Sequence, residues 1–192
     1  MLRQAIVICA ATCGLASCVE PVPPMRTFFD TLDDGADIEV TMKFIQNALN
    51  SIGSFEYSEH EGWFLGDKEA DPSEHKGEQY VENVVADPLT CQVQYRTQRT
   101  FDGKTEVAGE QLRQIDLKQA LKVVAYSQKE QLEGINQVAG PGQLRVDFSP
   151  PIFVLKVRFE SPPYHSFLLF DKELADEIAR AMNHAISLCR RL

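Results

Sequence analysis

Cys91-Gln92-Val93-Gln94-Tyr95-Arg96-Thr97-Gln98-Arg99-Thr100-Phe101, followed by Asp102-Gly103, decides the fold class. Cys91, Val93, Tyr95, Thr97 and Phe101 alternate with Gln92, Gln94, Arg96 and Gln98. That two-residue period is the mark of a strand with one face against a core. Asp102-Gly103 reads as a tight hairpin turn, because glycine accepts a positive φ there. The return strand is expected through Thr105 and Val107 to Gln114, with Gly109 a bulge candidate where the apolar parity slips between Val107 and Leu112.

Outward from this hairpin, residues 79–86, 121–126, 143–148, 152–159 and 165–170 carry further strand patterns. Ser149-Pro150-Pro151 and Ser161-Pro162-Pro163 bracket the 152–159 segment, and proline suits a strand's boundary rather than its middle. Before the strands, Ile38, Met42, Ile45, Leu49 and Ile52 recur at spacings of four and three, predicting a helix over 37–52 that Gly53 ends. Val40, Phe44 and Ala48 form a second apolar side, which Phe28-Phe29 would cover by folding back; the other reading leaves an exposed patch. After the strands, 171–190 predicts an amphipathic helix capped by Asp171, with Leu174, Ile178, Ala181, Met182, Ala185, Leu188 and Cys189 on one face.

The order of one helix, six or seven antiparallel strands and a terminal helix defines an α+β domain with helices segregated to sheet faces or ends. No helix is expected to interrupt the strands, which argues against parallel βαβ units. In element order alone, the domain resembles the pleckstrin-homology-like superfold.

Met1-Leu2-Arg3-Gln4 is a positive head, and residues 5–16 form an apolar run of secretory-signal length, ending in Leu15-Ala16-Ser17-Cys18. Here the chain resembles the bacterial lipoproteins: a branched apolar residue and two small ones stand directly before a cysteine. The resemblance implies removal of residues 1–17, diacylglyceryl attachment to the Cys18 sulfur and acylation of the new N-terminus with a fatty acid such as palmitate. Cys9 and Cys13 lie inside the apolar run and leave with it. Two or three acyl chains hold a protein stably at a bilayer where one does not. Residues 18–36 then form a tether, with three prolines among Pro21-Val22-Pro23-Pro24 favouring an extended spacer. Residues 37–192 form a single globular domain. Val19 in place of aspartate after the lipidated cysteine implies the outer membrane, facing the periplasm.

Composition narrows the function. Nineteen basic against 28 acidic residues give a net charge of −9, which opposes electrostatic capture of nucleic acid. No apolar run reaches the roughly 18 residues that span a bilayer. Two cysteines remain after Cys18. Cys91 shares the inward parity of Val93 and Tyr95, and Cys189 lies on the apolar face of the last helix, so in an oxidising compartment a strand-to-helix disulfide is expected; the other reading is two separate buried thiols.

Residues 56–78 hold eight acidic groups, two lysines, His60 and His75, and read as a solvated acidic loop, because the histidine spacing matches no metal-binding pattern. Trp63-Phe64-Leu65 inside it reads as a short strand or docked loop, or else as a partner-binding tip. His165 reads as a strand-end residue, and His184 falls on the polar face of the last helix. No nucleophile elbow, phosphate loop or paired carboxylate in apolar context is present. The expectation is a non-catalytic envelope lipoprotein, without metal or cofactor, that binds a protein or peptide partner. Its alternative is a carrier of a small apolar ligand, lined by residues such as Leu155, Val157, Phe167 and Leu169, or an enzyme whose site is assembled from distant residues.

The anchor is directly testable. Expressed in a bacterial host, the protein should incorporate an alkyne analogue of palmitate and partition into the detergent phase. Cys18→Ser should lose both properties. Undiminished labelling of that variant would exclude lipidation at Cys18.

Overall fold

The structure, a computed structural model, describes residues 36–65, 68–105, 111–136, 143–162 and 164–192. The leader, Cys18, the tether and Phe28-Phe29 lie outside the described residues, as do Val107, Gly109 and Gly140-Pro141-Gly142.

Helix α1 (Ile38–Ile52) starts where the Asp37 carboxylate accepts the Val40 amide at 2.9 Å, and it ends at Gly53 with φ 59°. A capping aspartate satisfies one of the otherwise unpaired first-turn N–H groups. Met42, Ile45, Leu49 and Ile52 of the predicted stripe are buried, and so are Phe44 and Ala48 on the second side, while Val40 stays exposed. The two apolar sides are used because α1 packs against both a strand and the terminal helix.

Strands follow in the order β1 (Ser54–Leu65), β2 (Lys68–Asp87), β3 (Gln92–Phe101), β4 (Lys104–Thr105), β5 (Gln111–Asp116) and β6 (Lys122–Ser127). After a short helix α2 (Gln128–Asn136) come β7 (Gln143–Ser149), β8 (Phe153–Arg158) and β9 (His165–Leu169), then the terminal helix α3 (Lys172–Cys189). Every strand pairing is antiparallel. The chain is α+β with a helix at each end, as the patterns predict.

The strands divide between two sheets. The larger runs β4-β3-β2-β1-β7, with β5 also on β3; the smaller runs β6-β8-β9. Asp102-Gly103 makes the predicted turn, both residues at positive φ (49° and 69°), as a type I′ hairpin requires. Two features differ from the sequence expectation. The 56–78 segment is not a loop but a long β1–β2 hairpin, in which Glu56 faces Glu78, Glu59 faces His75 and His60 faces Glu74. Polar side chains dominate both of its faces, with Tyr57, Trp63 and Phe64 the exceptions among the described residues, and the backbone ladder with the β7 pairing along its outer edge holds most of its length. Trp63-Phe64-Leu65 lies within β1, with Trp63 and Phe64 half-buried and the Arg145 guanidinium over the Phe64 ring at 4.3 Å. Finally, α2 does interrupt the strands. It covers β7, where the Glu133 carboxylate accepts the Val146 amide at 3.1 Å.

One face of the smaller sheet (Val123, Leu155, Val157, Phe167, Leu169) joins α1, α3, β2, β3 and β5 in the main core. Its other face offers Val154 and Leu168 to Tyr57 and Ile152 in a second cluster. Tyr57 lies flat across Gly77 opposite it in the ladder, where any Cβ would meet the ring. Asp171 caps α3 by accepting the Leu174 amide at 3.0 Å. Ile178, Ala181, Met182, Ala185 and Cys189 are buried, each apolar side chain of the larger kind contributing about 1.5–3 kcal/mol.

Cys91 and Cys189 are joined as a disulfide, with Cα atoms 5.9 Å apart and both residues buried. The bridge closes a loop across a sequence separation of 98 residues. Loss of such a cross-link costs about 2–4 kcal/mol through the freed unfolded chain. Cys91→Ala should therefore lower the melting temperature by several degrees, at roughly 2–4 °C per kcal/mol for a domain of this size. Adding Cys189→Ala should cost little more. Free alkylation of Cys91 and Cys189 in the native, unreduced protein would refute the bridge.

Candidate functional site

The polar residue that the core does not explain is His165. It opens β9 and shares the inward face of Phe167 and Leu169, so the imidazole enters the end of the main core and is only 9% exposed. Tyr95, inward on β3, meets it there: the Tyr95 hydroxyl lies 2.9 Å from His165 Nδ1. The Tyr95 ring packs on Phe167 at 4.7 Å between centroids, and Phe159 flanks the imidazole at 5.7 Å.

Bond counting assigns the protons. The buried Tyr95 hydroxyl has the imidazole as its hydrogen-bond partner, so the arrangement that leaves no buried proton unsatisfied has O–H donating to Nδ1. The ring proton then resides on Nε2. That atom has no partner among the described residues and is not sealed from solvent. Burial lowers the His165 pKa, and the nearby Arg113 guanidinium lowers it further, so the ring is neutral at pH 7. Burial raises the Tyr95 pKa, against the opposing pull of Arg113 and Arg99, and the phenol stays protonated.

His165 forms part of the wall of an open cleft of about 650 Å³. One side comes from the β5–β6 connection (Asp116, Lys118, Gln119, Leu121), the other from the β8–β9 connection (Phe159, Glu160, Ser161, Pro162). Arg190, just past α3, closes one end by donating from Nη2 to the Ala120 carbonyl at 2.6 Å. Within the cleft the Asp116 carboxylate is engaged twice: Oδ1 accepts the Lys118 amide and Oδ2 the Gln119 side-chain amide, each at 2.9 Å. A neutral imidazole N–H and the cations Lys118 and Arg190 share the lining with the carboxylates of Asp116 and Glu160 and with a short apolar wall of Leu121, Phe159 and Pro162.

His165 opens β9, as its strand-end reading expects, and the other residues singled out in the sequence fall elsewhere. Cys18 lies outside the described residues. His60 and His75 stand on opposite faces of the hairpin, because His75 faces Glu59 and His60 faces Glu74. His60 pairs with Glu69 at 3.0 Å, and His75 with Asp102 at 2.7 Å. The Asp102 bond, followed by the charges of Asp102, Glu59 and Glu61, raises the His75 pKa. Glu59 is raised by burial first and by Glu61 second. Among the described residues no group of His, Cys, Asp and Glu is placed to hold a metal ion. His184 is half-buried, its Nε2–H donating to the Ala36 carbonyl at 3.0 Å. Leu155, Val157, Phe167 and Leu169 fill the main core. Among the described residues no helix is long and apolar enough to cross a membrane. Comparison with known proteins returns no matching family model, no similar curated protein and no similar solved structure.

The lowered His165 pKa fixes a pH dependence. Above about pH 6.5, the ordinary imidazole value, both folded and unfolded states carry neutral His165 and it contributes nothing. As pH falls below that value, the unfolded state takes up the proton first, so folded stability declines until the native pKa is also passed. In urea unfolding between pH 7.5 and 5, wild type should lose stability relative to His165→Gln. The opposite contribution of His75 is common to both proteins and cancels. Parallel pH profiles would show that His165 titrates normally.

Proposed function

We propose that this protein is a lipid-anchored envelope lipoprotein whose domain binds a protein or peptide partner without transforming it, and that the Tyr95–His165 cleft is where the partner docks. The observation that carries the reading is an almost fully buried imidazole whose outer N–H has no partner among the described residues and meets solvent inside a cleft. Buried donors are ordinarily satisfied by protein or ordered water, and a donor of fixed direction that opens onto a cleft is suited to an acceptor from outside. With Nε2 protonated and the phenol held in its neutral form, the pair donates and does not abstract protons at neutral pH, which supports binding over acid–base chemistry. The residues that would line an apolar ligand cavity are packed among themselves in the main core, which favours a surface partner over a carried small molecule. The lipobox residues Leu15-Ala16-Ser17-Cys18 support the anchor, and Val19 supports the outer membrane.

Site-specific photocross-linking in intact cells tests the assignment. A photoreactive residue at the exposed Lys118 should give an adduct of one discrete mass, and one at the exposed Glu74 on the hairpin should not. The Lys118 adduct should weaken in the Cys18→Ser protein. The same adducts from both positions, or none from Lys118, would remove the cleft as the docking site.

A further inference from the structure

We propose that the open end of the smaller sheet's outer face makes electrostatic contact with the anionic phosphate headgroups of the bilayer that anchors the chain. This goes beyond the cleft and rests on the lipid-anchor part of the reading above. The register of the sheet defines the face. Lys122, Val124 and Tyr126 of β6 lie opposite Arg158, Lys156 and Val154 of β8, and Lys156 and Val154 lie opposite Ser166 and Leu168 of β9. Because side chains alternate across a strand, all of these point to one side. At one end Val154 and Leu168 are buried against Tyr57 and Ile152. At the other, Lys122, Arg158 and Ser166 are exposed and Lys156 is half-buried.

That open end carries three cations and no acid, in a chain whose acidic residues outnumber its basic ones by 28 to 19. Lys122 and Arg158 are direct ladder partners, so two like charges start from Cβ atoms roughly 5 Å apart, and Lys156 is two residues from Arg158 on the same side. Among the described residues no carboxylate forms an ion pair with any of the three, and that includes Glu160, two residues past Arg158. Like charges set directly opposite destabilise a sheet, and a glutamate at either position would remove the repulsion. An anion lying across the face relieves it as well.

Two observations favour a lipid surface over an acidic polypeptide. Tyr164, 48% exposed, stands beside the cations, with the Lys156 ammonium over its ring at 5.0 Å. Tyrosine and long cationic side chains are the residue types that settle at the headgroup level of a bilayer. The chain also enters the domain nearby. His184 holds the Ala36 carbonyl, and the preceding Asn183 holds both backbone groups of Val123, the neighbour of Lys122. The chain from Cys18 to Ala36 spans no more than about 65 Å even at full extension, so an anchor at Cys18 keeps this end of the sheet within reach of the headgroups.

The test uses the lipidated chain reconstituted into vesicles, with an environment-sensitive fluorophore on Ser166→Cys or, as the control, on Glu74→Cys of the hairpin. In phosphatidylcholine vesicles containing phosphatidylglycerol, the sheet label should brighten and shift to the blue relative to phosphatidylcholine alone, and the hairpin label should not. Salt at about 1 M, where the screening length falls to about 3 Å, should reverse the change. Each of Lys122→Gln, Lys156→Gln and Arg158→Gln should lower the ratio of docked to undocked domain about fivefold, the factor for one basic residue near an anionic surface. Lys122→Gln should leave the melting temperature unchanged or raised, because it relieves the opposed pair; a lowered value would make the pair structural and overturn the argument from repulsion. No dependence on phosphatidylglycerol, or the same change in the hairpin label, would overturn the headgroup contact while the anchor stands. Failure of the protein to float with neutral vesicles would instead refute the anchor, and the contact with it. A short polyglutamate that reproduces the shift on neutral vesicles would overturn the lipid surface in favour of an acidic polypeptide.

Discussion

Three side-chain carboxamides complete backbone ladders that the strands leave unfinished, and the arrangement of the two sheets depends on them. Gln79 of β2 donates to the Leu168 carbonyl at 3.0 Å and accepts the Leu168 amide at 3.1 Å. Asn183 of α3 does the same for Val123 of β6, at 2.8 and 2.9 Å. Asn50 of α1 serves Val84, at 3.2 and 3.0 Å, beside the irregularity where β2 loses register with β3. A carboxamide carries one acceptor and a donor at the spacing of a peptide group, so it stands in for a missing strand. Leu168 and Val123 lie on the two outer strands of the smaller sheet. Both edges of that sheet are thus tied to another layer, not left open for pairing with another chain. Gln79 is itself buried and takes a further bond from Arg99 Nη2 at 3.1 Å. Its loss would strand Leu168's peptide group inside the molecule, at about 1–3 kcal/mol per unsatisfied group.

The disulfide extends this logic to the cleft. Cys91 ends a turn in which Asp87 accepts the Leu89 amide and the Thr90 hydroxyl, and it adopts φ 61°, a conformation that a β-carbon disfavours. Its carbonyl accepts the Leu117 amide at 2.9 Å, at the start of the connection that forms one cleft wall. On the other side of the bridge, Cys189 is followed at once by Arg190, which holds the Ala120 carbonyl at the far end of the same connection. The β5–β6 wall is therefore pinned at both ends within one residue of the cross-link. The bond that steadies the core also fixes the mouth of the cleft.

How much of this was legible depended on whether an apolar face existed to be read. The helices, the β3 strand and its Asp102-Gly103 turn, and the pairing of Cys91 with Cys189 all follow from side chains that alternate or recur against a core. Residues 56–78 gave no such signal, because polar residues dominate both faces of that ribbon and leave no period in hydrophobicity, although its strands pair along the hairpin with a register shift between Glu61 and Trp63. Helix α2 escaped for a related reason: its sequence Gln-Lys-Glu-Gln-Leu-Glu-Gly-Ile-Asn has two apolar residues, and it docks through the Glu133 carboxylate. The Tyr95–His165 pair spans 70 residues of sequence. Its one local trace was the parity that His165 shares with Phe167 and Leu169, which marked it as inward but not as paired.

That pair is also poor value as core packing. A histidine here gives up solvation of Nδ1, which Tyr95 replaces, and keeps Nε2 at the solvent of the cleft, so the imidazole gains nothing over an apolar ring in packing. An apolar ring on β9 against a phenylalanine on β3 would fill the same space beside Phe159 and Phe167 without leaving any polar atom to satisfy. What the imidazole adds is a donor of fixed direction: the Tyr95 hydroxyl sets the tautomer, the surrounding rings set the plane, and burial holds it uncharged. Such a donor is ordered before any ligand arrives, so little further ordering is required when an acceptor reaches it. Orientation of this kind is superfluous in a packing residue and useful in a recognising one, and that difference is what supports a docking role for the polar end of an otherwise apolar core.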